Sequence, residues 1–211
     1  MNVHSPQAAP PARAEIPAER RTAILDAGER CFVLHGFHRA TMQDLAKMAG
    51  MSVGNLYRYF PSKDAVVLAL AERDRAEAAK HLCCQDAEQW PMLIGLLRQH
   101  LRAPRQKAML LVELWAEGTR NPTIAAMLER FEAENRAWVA GVLAATGAVS
   151  DSTAAELADR FCTECQGIAV NRALFADYDP MPPAERLIRF LENSMAAASG
   201  AAPVPCLEPV R

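Results

Sequence analysis

Residues 41–63 read TMQDLAKMAG MSVGNLYRYF PSK, and this stretch decides the fold of the chain. Thr41 followed by Asp44 is a capping box, in which the two side chains satisfy backbone donors at a helix start. Gly50 predicts the turn that ends this helix, because glycine tolerates a left-handed backbone. Ser52 is the next capping residue and predicts a second helix directly after the turn.

The apolar residues of this stretch have the spacing of two helices that cross closely. Ala46 is small, Gly50 follows four residues later, and Leu56 lies ten residues after Ala46. Leu56 and Phe60 form the buried face of the second helix. The pattern predicts a helix-turn-helix, whose second helix can lie in the DNA major groove with its early residues on base edges.

The run AGMSVGNLYRYFPSK, residues 49–63, resembles the DNA-binding signature of the TetR family of bacterial transcriptional regulators. The matching residues are Gly50, Ser52, Gly54, Leu56, Tyr57, Tyr59, Phe60 and Lys63. The string ELWAEGTRNP at 113–122 also looks like members of this family. The resemblance implies an all-α protein with a helix-turn-helix head of three helices and a C-terminal ligand-binding and dimerisation domain of six.

Composition favours the same fold class. The chain has 211 residues, 51% of them hydrophobic, with abundant Ala and Leu and few β-branched residues, which is typical of an all-helical fold. The net charge is −2, but residues 19–63 hold seven basic and four acidic residues. That stretch therefore carries +3 and the remainder −5, as expected for a DNA-binding head on an acidic body.

Proline content and helical periodicity predict the domain boundaries. We expect a disordered arm at 1–18 and a DNA-binding domain at 19–64, with the helix-turn-helix motif at 41–60. A ligand-binding and dimerisation domain would occupy 65–198, and a disordered tail 199–211. The sequence shows neither a membrane-spanning run nor a secretory signal, so we expect a cytoplasmic protein with reduced cysteines.

The predicted DNA contacts fall into two groups, since phosphate contacts fix position and base contacts specify sequence. The resemblance implies phosphate roles for Thr41, Tyr57, Tyr59 and Lys63, although Tyr59 could equally pack inward. The residues expected at base edges are Gln43, Val53, Gly54, Asn55 and Arg58. Arg58 is the side chain expected to hold a guanine, or a phosphate instead.

In the body, the resemblance implies a small-molecule pocket and a dimer contact through the last two helices. The candidate pocket residues are Leu97, Met109, Trp115, Phe131, Trp138, Phe161 and Cys165, which suit a mainly apolar effector. The apolar surface offered for dimerisation is Leu157, Phe161, Ile168, Leu174, Leu187, Phe190 and Leu191, which could equally form the core of one protomer. Helix four would be the lever that moves the heads off a palindromic operator.

The function that follows is a sequence-specific DNA-binding transcriptional regulator, by family default a repressor released by its effector, with no enzyme activity and no cofactor or metal. One alternative is a redox- or metal-responsive regulator of the same fold, using Cys162 and Cys165 or Cys83 and Cys84. Alternatives from other classes are a helical enzyme and a helical interaction protein that binds no DNA. The chain lacks a phosphate loop, a nucleophile elbow and an HExxH pair, which disfavours the enzyme.

Overall fold

The computed structural model describes residues 18–81 and 89–200, and within them it contains nine α-helices and no strands. The helices are α1 (Ala18–His35), α2 (Met42–Met48), α3 (Val53–Tyr57), α4 (Lys63–His81), α5 (Gln89–Arg102), α6 (Arg105–Gly118), α7 (Pro122–Ala145), α8 (Asp151–Leu174) and α9 (Met181–Ser199). The predicted all-α fold is confirmed. Of the predicted arm at 1–18 the structure describes only Ala18, the first residue of α1, and of the predicted tail at 199–211 it describes only Ser199 and Gly200, at the end of α9.

The core of the head joins four consecutive helices. Phe32 and Phe37 are fully buried, with ring centroids 5.3 Å apart. Leu56 is 0% exposed, so the predicted buried face of α3 lies where the sequence placed it. Val66 of α4 belongs to the same cluster, so the first half of α4 packs as part of the head.

Two residues of α7 also belong to the core of the head. Ile124 is 0% exposed and Met127 is 6% exposed, and both pack in the cluster that contains Leu56 and Val66. This shared core holds the helix-turn-helix pair against the body as well as against α1 and α4.

The core of the body lies mainly between α5, α7, α8 and α9. Its fully buried side chains include Val139 and Leu143 of α7 and Leu187 and Leu191 of α9. A smaller cluster of Leu101, Ile168 and Ala184 continues this core.

Two arginines tie helix ends together across the body. The guanidinium of Arg105, at the start of α6, donates to the carbonyls of Arg172 and Ala173 at 3.0 and 2.6 Å, at the end of α8. Arg172 in turn donates to the carbonyl of Ala103, in the turn between α5 and α6. Because the last carbonyls of a helix have no partner within it, these contacts fix the α5–α6 turn to the end of α8.

The structure gives the start of α9 and the exposure of the apolar residues offered for dimerisation. Helix α9 begins at Met181 and holds Pro182 and Pro183 in its first turn, where prolines are tolerated. Most of the proposed dimer surface is core of the single chain: Leu157, Phe161, Ile168, Leu187 and Leu191 are all buried. Leu174 is 62% exposed and Phe190 is partly buried.

Within residues 18–81 and 89–200, no helix is both long enough and apolar enough to cross a bilayer.

Candidate nucleic-acid interface and effector region

The start of α2 is capped as the sequence predicted. The Thr41 hydroxyl accepts from the Asp44 amide at 3.2 Å, and the Thr41 amide donates to the Asp44 carboxylate at 3.0 Å. The hydroxyl also donates to that carboxylate at 2.6 Å. These hydrogen bonds from Thr41 hold the pKa of Asp44 below its usual value. A phosphate contact by the Thr41 hydroxyl as donor therefore requires the hydroxyl to release Asp44.

The turn between α2 and α3 has the predicted geometry. Gly50 has φ +64°, a left-handed conformation, and its amide donates to the Lys47 carbonyl at 3.2 Å. Ser52 then caps α3 by accepting from the Asn55 amide at 3.2 Å. The turn and the cap fix the angle at which α3 leaves α2.

Helix α3 presents a mixed outer face. Gly54 and Arg58 are exposed, and Tyr57 is 51% exposed. Gln43, on α2, is exposed as well. Within residues 18–81 and 89–200, no hydrogen bond or ion pair engages the Arg58 guanidinium. Arg58 is therefore available to a base edge or a phosphate.

Three other predicted contact residues are only partly exposed. Val53 and Tyr59 pack against the core of the head, and Asn55 has intermediate exposure. Tyr59 therefore has a packing role, which was one of its two expected roles.

Lys63 has a role that the sequence did not reveal. Its ammonium donates to the carbonyls of Phe37 at 2.9 Å, His38 at 3.0 Å and Ala40 at 3.5 Å. The same nitrogen lies 4.7 Å from the centroid of the Phe37 ring. Because an ammonium has three donors, a phosphate contact by Lys63 would replace at least one of these hydrogen bonds.

The candidate pocket residues fall into two sets. Leu97, Trp138, Phe161 and Cys165 pack in the same cluster of the body core. Met109 and Phe131 are 40% and 39% exposed and lie outside that cluster, as does Trp115. Phe131 instead lines a cleft of about 10 Å³ beside Ala71 and Met127, and such a volume holds about one water. The structure therefore does not gather all seven predicted residues in one place.

Trp138 carries an unused hydrogen-bond donor. Its indole Nε1 is buried and has no partner among the residues that the structure describes. A buried N–H without a partner costs free energy, so this atom is a candidate contact for a bound molecule.

The two cysteines of α8 are poor candidates for redox or metal chemistry. Burial raises the pKa of Cys162 to about 11 and that of Cys165 to about 12. The thiolate is the form that reacts and binds metals, and both thiols are protonated at neutral pH. No group of three potential metal ligands occurs in the described part of the chain. The second pair, Cys83 and Cys84, lies outside the described residues.

A capped helix pair on a small helical head, joined to a larger helical body, defines the class of helix-turn-helix regulators. Residues 24–70 match the sequence model "Bacterial regulatory proteins, tetR family", and residues 86–194 match "Tetracyclin repressor-like, C-terminal domain". The chain belongs to the TetR family of bacterial regulatory proteins.

Curated relatives carry names that agree with this family. The HTH-type transcriptional regulator UidR of Escherichia coli is 33% identical over 113 residues, which cover 52% of this chain and 57% of that protein. The HTH-type transcriptional repressor Rv1474c of Mycobacterium tuberculosis is 38% identical over 89 residues, which cover 42% and 44%. The chain thus matches about half the length of these curated relatives.

Solved structures are similar over most of the chain. Salmonella enterica GusR is 25% identical with a TM-score of 0.67, covering 90% of this chain and 100% of that one. A putative transcriptional regulator from Saccharomonospora viridis, in complex with choline, is 23% identical with a TM-score of 0.67, covering 83% and 97%. The second likeness shows the fold alone.

The predicted family and class of function, a helix-turn-helix transcriptional regulator, are confirmed by these matches. The family and its named relatives are regulators and not enzymes. The roles of individual residues at DNA, in the dimer and in the pocket stay predictions.

Proposed function

We propose that the protein is a homodimeric repressor that binds a palindromic operator and is released by a mainly apolar small molecule. The observation that carries this proposal is the outer face of α3, where Gly54 and Arg58 are exposed on a helix fixed by a left-handed turn and a serine cap. A repressor of this kind acts in the cytoplasm, where the bacterial chromosome lies.

Base reading is assigned to the front of α3 and to Gln43 of α2. The Asn55 side chain can form two hydrogen bonds with an adenine edge, and the Arg58 guanidinium can donate two to a guanine edge. Val53 is partly packed, so its outer methyl group offers contact to a thymine methyl. Gly54 leaves room for the α3 backbone to approach the groove.

Phosphate contacts are assigned to Thr41, Tyr57 and the exposed part of Tyr59, whose ring also packs against the core of the head. Tyr57 supports this assignment best, because half of its side chain is exposed on a helix beside the expected groove. The Thr41 hydroxyl reaches a phosphate by rotating away from Asp44. Lys63 supports the interface through the loop that its ammonium holds, and a direct phosphate contact is the alternative role for this side chain.

Dimerisation supplies the specificity that one head lacks, since one helix reads only a few base pairs. We assign the dimer contact to the outer faces of α8 and α9, where Leu174 and Phe175 are exposed and Phe190 is partly buried. The Arg160 guanidinium lies 3.7 Å from the centroid of the Phe190 ring and covers one face of that ring.

The effector is assigned to the cluster around Trp138 in the body. Leu97, Phe161 and Cys165 give this region an apolar wall, and the unused Nε1 of Trp138 offers one hydrogen bond. These features favour an apolar molecule with one hydrogen-bond acceptor. Release from DNA requires that this molecule prefer the conformation in which the heads are misplaced.

Selection of bound duplexes from a random pool, with the full-length protein, tests the proposal. We expect a palindromic sequence whose affinity falls steeply with salt, with a log–log slope of about −5 if the dimer makes about six phosphate contacts. Repeating the selection with candidate apolar ligands shows whether any of them releases the DNA. A protein that enriches no sequence at low salt would exclude this function and favour the interaction protein.

Two arginine variants test the assignment within α3. Arg58→Ala should relax preference at one base position per half-site and cost about 1–3 kcal/mol there. Arg102→Ala is the matched control, because Arg102 is also exposed but lies at the end of α5. Equal preference in both variants would remove Arg58 from base reading.

A further inference from the structure

The loop between α1 and α2 is held from two sides by side chains distant in sequence. This loop, residues 36–40, immediately precedes Thr41, which caps α2. Its conformation is closed locally by the Ala40 amide, which donates to the Gly36 carbonyl at 3.1 Å. Phe37 is 1% exposed and anchors the loop in the core of the head. The loop therefore sets where α2 begins.

The first side chain belongs to the body. The Glu113 carboxylate, on α6, accepts from the Phe37 amide at 2.6 Å across 76 residues of sequence. Gly36 allows this approach, because a Cβ at that position would lie 2.6 Å from one carboxylate oxygen and 2.7 Å from the other. Gly36 also has φ +77°, so the loop needs glycine for its backbone as well.

The second side chain is that of Lys63, at the start of α4. Its ammonium holds the carbonyls of Phe37 and His38, while Glu113 holds the amide of Phe37. The peptide groups on both sides of Phe37 are thus used by side chains, one from α6 and one from α4. The charged partners make these hydrogen bonds stronger than neutral ones.

The end of α6 and the N-cap of α7 each make one more contact with the head. The side-chain amide of Asn121 (Nδ2) donates to the Asp64 carboxylate, in the first turn of α4, at 2.9 Å. The Glu117 carboxylate lies 4.0 Å from His38 Nδ1. On the side of the body, all three contacts are made by residues of 113–122, the second string that resembles the family. Their partners in the head lie before and after the helix-turn-helix motif at 41–60.

We propose that Glu113 is a positioning residue for DNA binding: its hydrogen bond to Phe37 couples α6 directly to the start of α2 and fixes the head relative to the body. This coupling rests on the proposed DNA-binding function and adds a route that does not pass along α4. Movement of α6, which also carries Met109 and Trp115, would shift the loop and with it the recognition pair. The dimer then holds its two heads at one separation because each loop is tied to its own α6.

Hydrogen exchange tests the contact without DNA. In full-length Glu113→Ala, the Phe37 amide should exchange at least about tenfold faster than in the wild type, because its acceptor is gone. Glu113→Gln keeps an acceptor oxygen at the same reach and should restore most of the protection. Glu129→Ala, an exposed glutamate of α7, is the control and should leave this amide unchanged. Unchanged exchange in a folded Glu113→Ala would overturn the proposal.

Operator spacing tests the consequence for DNA binding. The wild type should lose about tenfold in affinity, the order expected for a misfit site, when one base pair is inserted between the selected half-sites. Glu113→Ala should bind the original operator several-fold more weakly and lose less than about threefold on the insertion, since its heads are less fixed. Glu113→Gln should discriminate like the wild type. A variant that is merely less stable would keep the wild-type ratio between the two operators.

The outcomes separate the two proposals. If the wild type binds no DNA, the proposed function fails, while the exchange result still decides whether the contact exists. If the wild type binds its operator and Glu113→Ala keeps the full spacing preference, the function stands and the positioning role of Glu113 is wrong.

Discussion

Gly54 has no neighbour within 4 Å of the position where a Cβ would lie, beyond its own helix, and its backbone is an ordinary helical one. Folding therefore does not require glycine here. Alanine has the higher helix propensity, so Gly54 lowers the stability of α3 by up to about 1 kcal/mol. A residue that weakens its own helix without a packing reason is expected where another molecule approaches the backbone.

We predict that Gly54→Ala keeps or raises the free energy of unfolding while it lowers operator affinity by about tenfold, because a methyl group would lie between α3 and the base edges. Chemical denaturation and fluorescence anisotropy with a labelled operator measure the two effects. Gly141→Ala in α7 is the matched control, since Gly141 is exposed and equally open. It should gain stability without changing affinity. Unchanged affinity in Gly54→Ala would place the α3 backbone away from the groove.

Lys63 separates an internal role from a role at DNA. We predict that Lys63→Ala lowers the free energy of unfolding by about 1–2 kcal/mol, through the loop carbonyls it leaves, without changing the salt dependence of binding. If the ammonium instead meets a phosphate in each protomer, the log–log slope should become shallower by about 2. Titration at four salt concentrations distinguishes these results. Lys47→Ala, on the exposed side of α2, serves as the stability control.

At the scale of elements, the helices were predictable because their ends are marked by local chemistry. Thr41, Ser52 and Asn121 cap α2, α3 and α7 within a few residues of sequence, and Gly147 follows α7 with φ +68°. The contact between Phe37 and Glu113 has no such local mark, since it joins residues 76 apart. The sequence also could not apportion α8 and α9 residues between core and dimer surface, because both need the same apolar side chains.

We expect the stability of the fold to depend on pH through the thiols of Cys162 and Cys165 in α8. Burial raises the pKa of Cys162 and Cys165 to about 11 and about 12, above the value of about 8.5 expected in the unfolded chain. Their contribution to stability is therefore complete below pH 8.5 and is lost as the pH rises through these folded values.

We predict that the free energy of unfolding of a reduced sample falls as the pH rises from about 8.5 to 11. In the double variant Cys162→Ala and Cys165→Ala this alkaline decrease should be smaller, although the variant is less stable at pH 7 because of the lost packing. Urea denaturation at a series of pH values measures both curves. Parallel curves for the two proteins would show that these thiols ionise as easily in the native state as in the unfolded one.

At the scale of the whole molecule, the proposed dimer requires a surface of the body that contacts a second copy, and two exposed leucines of the described residues can be compared. Leu174 at the end of α8 is 62% exposed, and Leu34 near the end of α1 is 67% exposed. We predict that Leu174→Glu raises the dimer dissociation constant at least about tenfold, because burying two charged groups opposes association. Sedimentation equilibrium measures this constant.

Leu34→Glu is the matched control and should leave the dimer intact. Operator affinity should fall in Leu174→Glu at concentrations below the new dissociation constant and recover above it, because two heads bind together. Equal dimerisation of the two variants would place the self-association surface elsewhere on the molecule.

The presence of Ile124 and Met127 in the core of the head has a consequence for engineering. A chimera that joins residues 18–70 to the body of another protein would have a cavity where these two side chains pack. Its operator affinity should be low even though every base-contacting residue is retained. A chimera that also includes the segment from α6 into α7 would keep Ile124 and Met127 in the core of the head. We therefore expect functional chimeras within this family when the junction lies after these residues of α7.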